Sequence, residues 1–343
     1  MNTNRNKINP LQFQNFVKDL TNNQEFFKLI NLLINAKESN LIGTNYKFLG
    51  KGKNGIVYKI GKDTTIKIIQ NINLNCPINN EFVKFCTGFY NEVMIGMILS
   101  NLVTEKLCYN FPTIKGAYVT KDIGVIVRNF SDFVFEDFLK TITDQKLINN
   151  LIIQYFLAIA IIHSKYQSNM LDNKFTNLYI KKINNENLIY EINGKKYEIP
   201  CYGYVIVIGD YGSSKFNYPT GNYFVQMVKY TDAESGIRRY LKDIERFKNV
   251  KSNNKSKNLW EELHFEKVRQ IYFEGLFNPY IEHVFFMSFL IKFAKEHNRS
   301  FDIINDYVEI TNYNRNGILL LRKNISLIQL INTLSPKYNI TIN

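Results

Sequence analysis

Residues 46–69 alternate between apolar and polar positions in three short runs, Tyr46-Lys47-Phe48-Leu49-Gly50, Gly55-Ile56-Val57-Tyr58-Lys59-Ile60-Gly61 and Thr64-Thr65-Ile66-Lys67-Ile68-Ile69. Turn residues interrupt them at Gly50–Gly55 and at Gly61-Lys62-Asp63, so the pattern predicts three strands joined by tight turns. Before them, residues 10–37 place apolar side chains at helical spacing (Leu11, Phe16, Leu20, Phe27, Ile30) and predict one or two amphipathic helices. Residues 79–103 return to a helical period, and 116–128 predict a hairpin turning at Lys121-Asp122. From 130 onward the pattern is mainly helical, through 133–142 and the apolar 145–164. A second strand cluster follows at 178–183, 187–200 and 203–209, with turns near Asn184–Asn187 and at Asn193-Gly194. Helices return at 280–296 and near the C-terminus. Strands, then helices, with strands recurring in the middle, predict an α+β fold of two lobes. The expected division is a helical extension over 1–40, a small lobe over 41–128, and a large lobe over 129–343, with a hinge at Arg128–Phe130.

Composition narrows this picture. Apolar residues make up 45% of the 343 and charged residues 21%, which is globular usage and excludes a disordered chain. The four cysteines, Cys76, Cys86, Cys108 and Cys201, form no CxxC pair and have no matching histidines, which excludes a zinc module or a disulfide framework and points to a reducing compartment. The most apolar run, 151–162, is too short to span a bilayer and contains Gln154. The start of the chain lacks the apolar core of a signal peptide. Forty-three basic against thirty acidic residues leave a net charge of +13, which favours polyanionic partners, whether nucleic acid, nucleotide, acidic protein or membrane surface, without choosing among them. The abundance of Asn, Ile and Lys reads as an AT-rich coding genome, so Asn and Lys counts carry little weight. The basic stretch Lys248–Lys257 lacks the interleaved aromatic residues of a single-strand binding platform and reads as a solvated loop.

Candidate chemistry lies at four places. Gly50-Lys51-Gly52-Lys53-Asn54-Gly55-Ile56-Val57 is a GxGxxGxV loop between two strands, where the missing β-carbons let backbone amides approach phosphate oxygens. A strand follows the third glycine, which argues against the dinucleotide fingerprint, whose third glycine opens a helix. Lys67 sits on the next strand amid β-branched neighbours. Glu92, or its rival Glu81, lies in the helical stretch beyond and could position that lysine. Asp172-Asn173-Lys174-Phe175-Thr176-Asn177 has the D-x-K-x-x-N frame, and the apolar Val205–Ile208 strand ends at Gly209-Asp210-Tyr211-Gly212.

Taken in this order, the four motifs resemble the eukaryotic-type protein kinase superfamily over residues 46 to about 295. Within it, the DNKFTNLYI loop, the inserted LIYEINGKKYEIP hairpin and the FNPYIEHVFFMSFL helix look like the divergent Ser/Thr kinases of large cytoplasmic DNA viruses. The resemblance implies transfer of the γ-phosphoryl group of Mg-ATP to Ser or Thr hydroxyls on protein substrates, acidic ones given the charge, with no sequence-specific nucleic acid. It implies a cytoplasmic setting, in the host or the virion. Gly50, Gly52, Gly55 and Val57 would cover ATP, Lys67 would hold its α- and β-phosphates with Glu92 behind it, and Asp172 would orient the attacking hydroxyl. Lys174 would steady the γ-phosphate, and Asn177 and Asp210 would bind Mg2+.

Departures from the family pattern are informative. Met170-Leu171 replaces the usual His-Arg before the catalytic Asp, no Ala-Pro-Glu is found between Gly212 and Asn278, and Glu282 or His283 takes the place of the Asp normally beneath the catalytic loop. A pseudokinase keeps the fold without turnover, but Lys67, Asp172, Asn177 and Asp210 are the groups such proteins tend to lose. A small-molecule phosphotransferase shares the layout, but Lys174 two residues after Asp172 looks more like the protein kinases.

Leu171 removes the arginine that a phosphate on the activation segment would neutralise. Phosphatase-treated protein, confirmed unmodified by mass spectrometry, is therefore expected to transfer phosphate from its first turnovers. A lag that shortens with enzyme concentration would contradict this.

Overall fold

Tyr58 and Ile56 alternate with Val57 and Lys59 along one strand, and that alternation decides which face of the first sheet is covered by what. The computed structural model describes residues 15–36, 45–52, 55–70, 72, 89–170, 174–211, 279, 281–311 and 325–343. It is an α+β fold with a sheet-rich N-terminal part and a mainly helical C-terminal part.

The N-terminal part is built from β1 (Val17–Asp19), α1 (Gln24–Asn35), β2 (Tyr46–Gly52), β3 (Gly55–Ile60), β4 (Thr64–Gln70), α2 (Phe89–Thr104), β5 (Ile114–Val119) and β6 (Ile123–Asn129). Its strands form one six-stranded sheet in the order β1-β5-β6-β4-β3-β2, antiparallel except for the β1–β5 pair. The outer face carries Ile56, Tyr58, Ile66, Ile68 and Val125 under α1, whose Ile30 and Leu33 are fully buried there. The buried Tyr58 hydroxyl donates to the Leu33 carbonyl at 2.7 Å, near the C-terminal end of α1. Asn23 caps the start of α1 by accepting from Phe26 N–H at 3.1 Å. The inner face takes α2.

Within the described residues the helical reading of 10–37 holds at Asn15 and Phe16 and again over Gln24–Asn35, and is interrupted between them. Val17–Asp19 is a strand at the edge of the sheet, pairing Val17 with Ala117. Three residues are too few to show a period, and the strand exists because β5 offers an unpaired edge.

The C-terminal part adds β7 (Phe133–Val134), α3 (Phe135–Thr141), α4 (Gln145–Tyr166), β8 (Leu178–Lys182), β9 (Asn187–Ile192), β10 (Lys195–Pro200), β11 (Tyr204–Ile208), α5 (Ile281–Glu296), α6 (Asp302–Thr311), α7 (Leu327–Leu334) and β12 (Thr341–Ile342). β11-β8-β7 form one small sheet and β12-β10-β9 another. The β9–β10 hairpin turns at Asn193 and Gly194, both with positive φ (53° and 79°), as a two-residue turn requires. The final strand β12 pairs with β10, tying the C-terminal end to the hairpin.

The helix α4 runs for 22 residues, two beyond the apolar 145–164, and by length and composition alone it could cross a membrane. Here it is the central helix of the core, with nearly all of its surface covered. Its polar residues are used inside the fold: Gln154 accepts from Ile206 N–H at 3.0 Å and donates to the Tyr204 carbonyl at 3.0 Å, and Asn150 donates to the Pro200 carbonyl at 2.8 Å. The described residues contain no other helix of that length and apolarity.

His283 of α5 is fully buried between Tyr307 and Ile325. Its Nε2 lies 3.0 Å from the Ile325 carbonyl, which can only accept, so Nε2 carries the proton and Nδ1 accepts from the Tyr307 hydroxyl at 3.0 Å. Burial lowers its pKa from 6.5 to about 4. The folded chain thus keeps a neutral imidazole that the unfolded chain protonates below pH 6.5. Stability is complete above that pH and falls as pH drops toward about 4. Between pH 7.5 and pH 5, urea unfolding is expected to show the native protein losing about 2 kcal/mol more than a His283→Gln variant.

Candidate functional site

Lys67 lies at the middle of β4, opposite Ile126 of β6 and Val57 of β3. Ile66 and Ile68 turn to the outer face, so strand alternation sends Lys67 to the inner one, beneath α2. It is 6% exposed. A lysine so buried requires a counter-charge, and α2 supplies one from its first turn: Lys67 Nζ donates to Glu92 Oε2 at 2.5 Å. A second carboxylate arrives from 143 residues away, Asp210 Oδ1 at 3.3 Å. Burial works against the Lys67 charge, but Glu92 and Asp210 outweigh it and raise its pKa. Burial likewise opposes the Asp210 charge, and Lys67 and Arg128 overcome it, holding that carboxyl below its ordinary range. Lys174 adds a smaller effect of the same sign on Asp210.

Asp210 follows β11 in a left-handed conformation, φ +61°. Gly209 N–H donates to the Asn177 carbonyl at 3.0 Å, so the segments bearing Asn177 and Asp210 are fastened together. The next residue, Tyr211, is buried; its hydroxyl donates to the Ile208 carbonyl at 2.6 Å and its ring stands edge-on to Phe111. That ring also reaches α2 beside Gly96, one turn beyond Glu92. The carboxylates on either side of Lys67 are thereby linked through packed side chains as well as through the ammonium.

The glycine hairpin closes β2 onto β3, pairing Gly50 with Val57 and Gly52 with Gly55. Gly55 has φ +140°, and a β-carbon there would stand 2.5 Å from the Ile68 carbonyl oxygen, so no other residue fits. At Gly50, among the described residues, no heavy atom beyond its chain neighbours lies within 4 Å of the place a β-carbon would take. Lys53 and Asn54 at the tip, the loop residue Asp172, and Glu81 lie outside the described residues, as do 248–258 and the interval after Tyr211 up to 278.

A second carboxylate underlies the loop before Asp172. Glu282 of α5, 1% exposed, accepts from Met170 N–H at 2.5 Å, from Asn169 Nδ2 at 3.2 Å and from His163 Nε2 at 2.5 Å. Of the two neighbours considered for this position, Glu282 holds the loop, whereas His283 points to Tyr307. The imidazole comes from α4, seven residues before Met170, and sequence reading had no way to attach it to the loop. Its one signal was a histidine near the end of an otherwise apolar helix. Arg128 was also missed as a site residue; its signal was a lone cation in the apolar run Gly124-Val125-Ile126-Val127.

Among the described residues no group of three or more His, Cys, Asp or Glu side chains is placed to hold a metal ion. Asn177 and Asp210 offer hard oxygen donors, the kind magnesium takes together with phosphate oxygens and water. Compared with protein-family models and with curated proteins, the chain has no match.

Truncating Glu282 would strand three buried donors. Glu282→Ala is expected to cost at least about 3 kcal/mol in urea unfolding, and to raise amide exchange at Met170. His163→Gln should cost about 1 kcal/mol. Equal, small losses in both variants would contradict the anchoring role.

Proposed function

We propose that this chain is a protein kinase of two lobes, transferring the γ-phosphoryl group of Mg-ATP to Ser or Thr hydroxyls on protein, and similar to the divergent kinases of large cytoplasmic DNA viruses. The observation that carries the reading is the meeting of Lys67, Glu92 and Asp210, drawn from β4, α2 and the end of β11. Each came from a different motif, and the motifs stand in the order that phosphoryl transfer in such enzymes uses.

In this reading the Gly50–Gly55 hairpin lies over the phosphates with its amides turned toward them. Lys67, held by Glu92, is aimed at the α- and β-phosphates and neutralises charge there. Asn177 and Asp210 hold magnesium, which supplies charge neutralisation at the β- and γ-phosphates when bound. Asp210 suits this because its carboxyl stays ionised. Asp172 takes or orients the proton of the attacking hydroxyl, and Lys174 steadies the group in transfer. Catalysis of this kind depends on positioning and fixed charge more than on covalent chemistry by the protein. The buried pair, costly to desolvate, is the kind of arrangement found at functional sites.

The test is a labelled-ATP assay on purified protein with a panel of acidic and basic protein substrates. Lys67→Met and Asp210→Asn are each expected to lower transfer by roughly 100-fold or more while leaving the circular dichroism spectrum unchanged. Near-native turnover in both variants would remove the kinase reading.

A further inference from the structure

The inner face of the first sheet carries one more charge. Thr65, Lys67 and Ile69 share that face of β4, and their antiparallel partners on β6, Arg128, Ile126 and Gly124, share it with them. The Gly124 end is closed, since a β-carbon there would stand 2.6 Å from the Phe89 ring of α2, which packs with Val93 and Met94. A nucleotide with its phosphates at Lys67 and Asp210 is blocked at that end, and the opposite end of the same face is the one that carries Thr65 and Arg128.

That direction leads to a floor made by Tyr179 of β8 and by Gly209. Arg128 Cζ lies 5.8 Å from the centre of the partly buried Tyr179 ring, and a β-carbon on Gly209 would be 2.9 Å from Tyr179 Cε2 and 3.6 Å from Arg128 Nη1. Residue 209 is thus glycine where backbone, ring and guanidinium converge. Arg128 is 9% exposed, yet among the described residues its guanidinium makes no hydrogen bond. Burial opposes its charge, and Tyr179 and Glu92 are the first of the groups that outweigh burial and keep it protonated. Five N–H donors with no acceptor capacity are thus held over the ring of Tyr179.

Such a group suits a base edge that only accepts. Guanine offers O6 and N7, the pair that arginine takes with two parallel hydrogen bonds, whereas adenine sets its N6 amino donor beside N7. We infer that Arg128 reads the base of the phosphoryl donor and selects guanine, so that GTP serves this site at least as well as ATP. The inference rests on the nucleotide reading above.

The test compares Mg-GTP and Mg-ATP on the full chain, by equilibrium binding and by kcat/KM, in the native protein and in Arg128→Gln. Glutamine carries one donor and one acceptor and matches adenine. The native protein should bind and use GTP at least as well as ATP, and the variant should shift the GTP-to-ATP ratio toward ATP by about tenfold or more in both measurements. Any loss of stability in the variant acts on both nucleotides and cancels in the ratio. A native preference for ATP, or a ratio unchanged by the substitution, overturns the inference and leaves the nucleotide reading standing. Binding of neither nucleotide overturns both.

Discussion

An ammonium group buried in the middle of a sheet requires counter-charges, and much of this molecule is arranged to bring them. Lys67 lies between Glu92 and Asp210, whose chain positions are separated by more than a hundred residues. Breaking such a buried pair on one side costs about 3–5 kcal/mol because a lone charge is left in a low-dielectric interior. The penalty ties α2 to the sheet and ties the end of β11 to both. Neither carboxylate can withdraw without exposing the lysine to that cost, so the site is one cooperative unit. Tyr211, fixed to its own backbone and packed beside Gly96, adds an apolar link between the same two segments.

The outer face of the sheet serves the same end by different means. α1 covers Ile56, Ile66 and Ile68 with its own Ile30 and Leu33, and the Tyr58–Leu33 hydrogen bond fixes the helix end. Strand alternation makes these apolar contacts and the Lys67 contacts opposite consequences of one register. A slip of one residue in β4 would bury Ile66 and Ile68 against the carboxylates and send Lys67 into the apolar layer. The N-terminal extension therefore specifies the site from behind without touching it. In the second part of the chain Glu282 plays a comparable part, drawing the segment before Asp172 and the end of α4 to one carboxylate.

Much of this was legible in the sequence, and what was not has physical reasons. Short runs of β-branched and apolar residues bounded by glycine turns located β2, β3, β4 and both later hairpins; β9 shows full alternation of covered and exposed positions, whereas β4 is covered on both faces. Lys67 stood out as a charge in an apolar strand and Gly55 as one glycine of a GxGxxGxV loop, whereas the close approach of Gly55 to the Ile68 carbonyl was not legible. Glu92 could not be separated from Glu81, since the sequence pattern puts both in one helical stretch and only packing shows that Glu92 reaches Lys67. The strand β1 was hidden because an edge pairing of three residues leaves no period. The bond between His163 and Glu282 was hidden because it spans 119 positions between two helices, and no local rule relates them. The extent of α4 was legible to within two residues, because its apolar positions run almost unbroken, but the buried partners of Asn150 and Gln154 were not, since they lie about fifty positions away.

Charge balance explains why an arginine can occupy the sheet interior at all. Lys67 and Arg128 contribute two positive charges to this interior and Glu92 and Asp210 two negative ones, so the four sum to zero. With an apolar residue at 128, the same buried cluster would carry a net negative charge. The guanidinium corrects that without competing for Glu92, which already accepts from Lys67, and its planar shape lets it lie against Tyr179. The excess of thirteen positive charges on the whole chain therefore owes nothing to these four residues. The long-range field of the whole chain and the local neutrality of these four buried groups are separate properties here. The first varies with salt, and the second is fixed by burial, where ions in solution screen little.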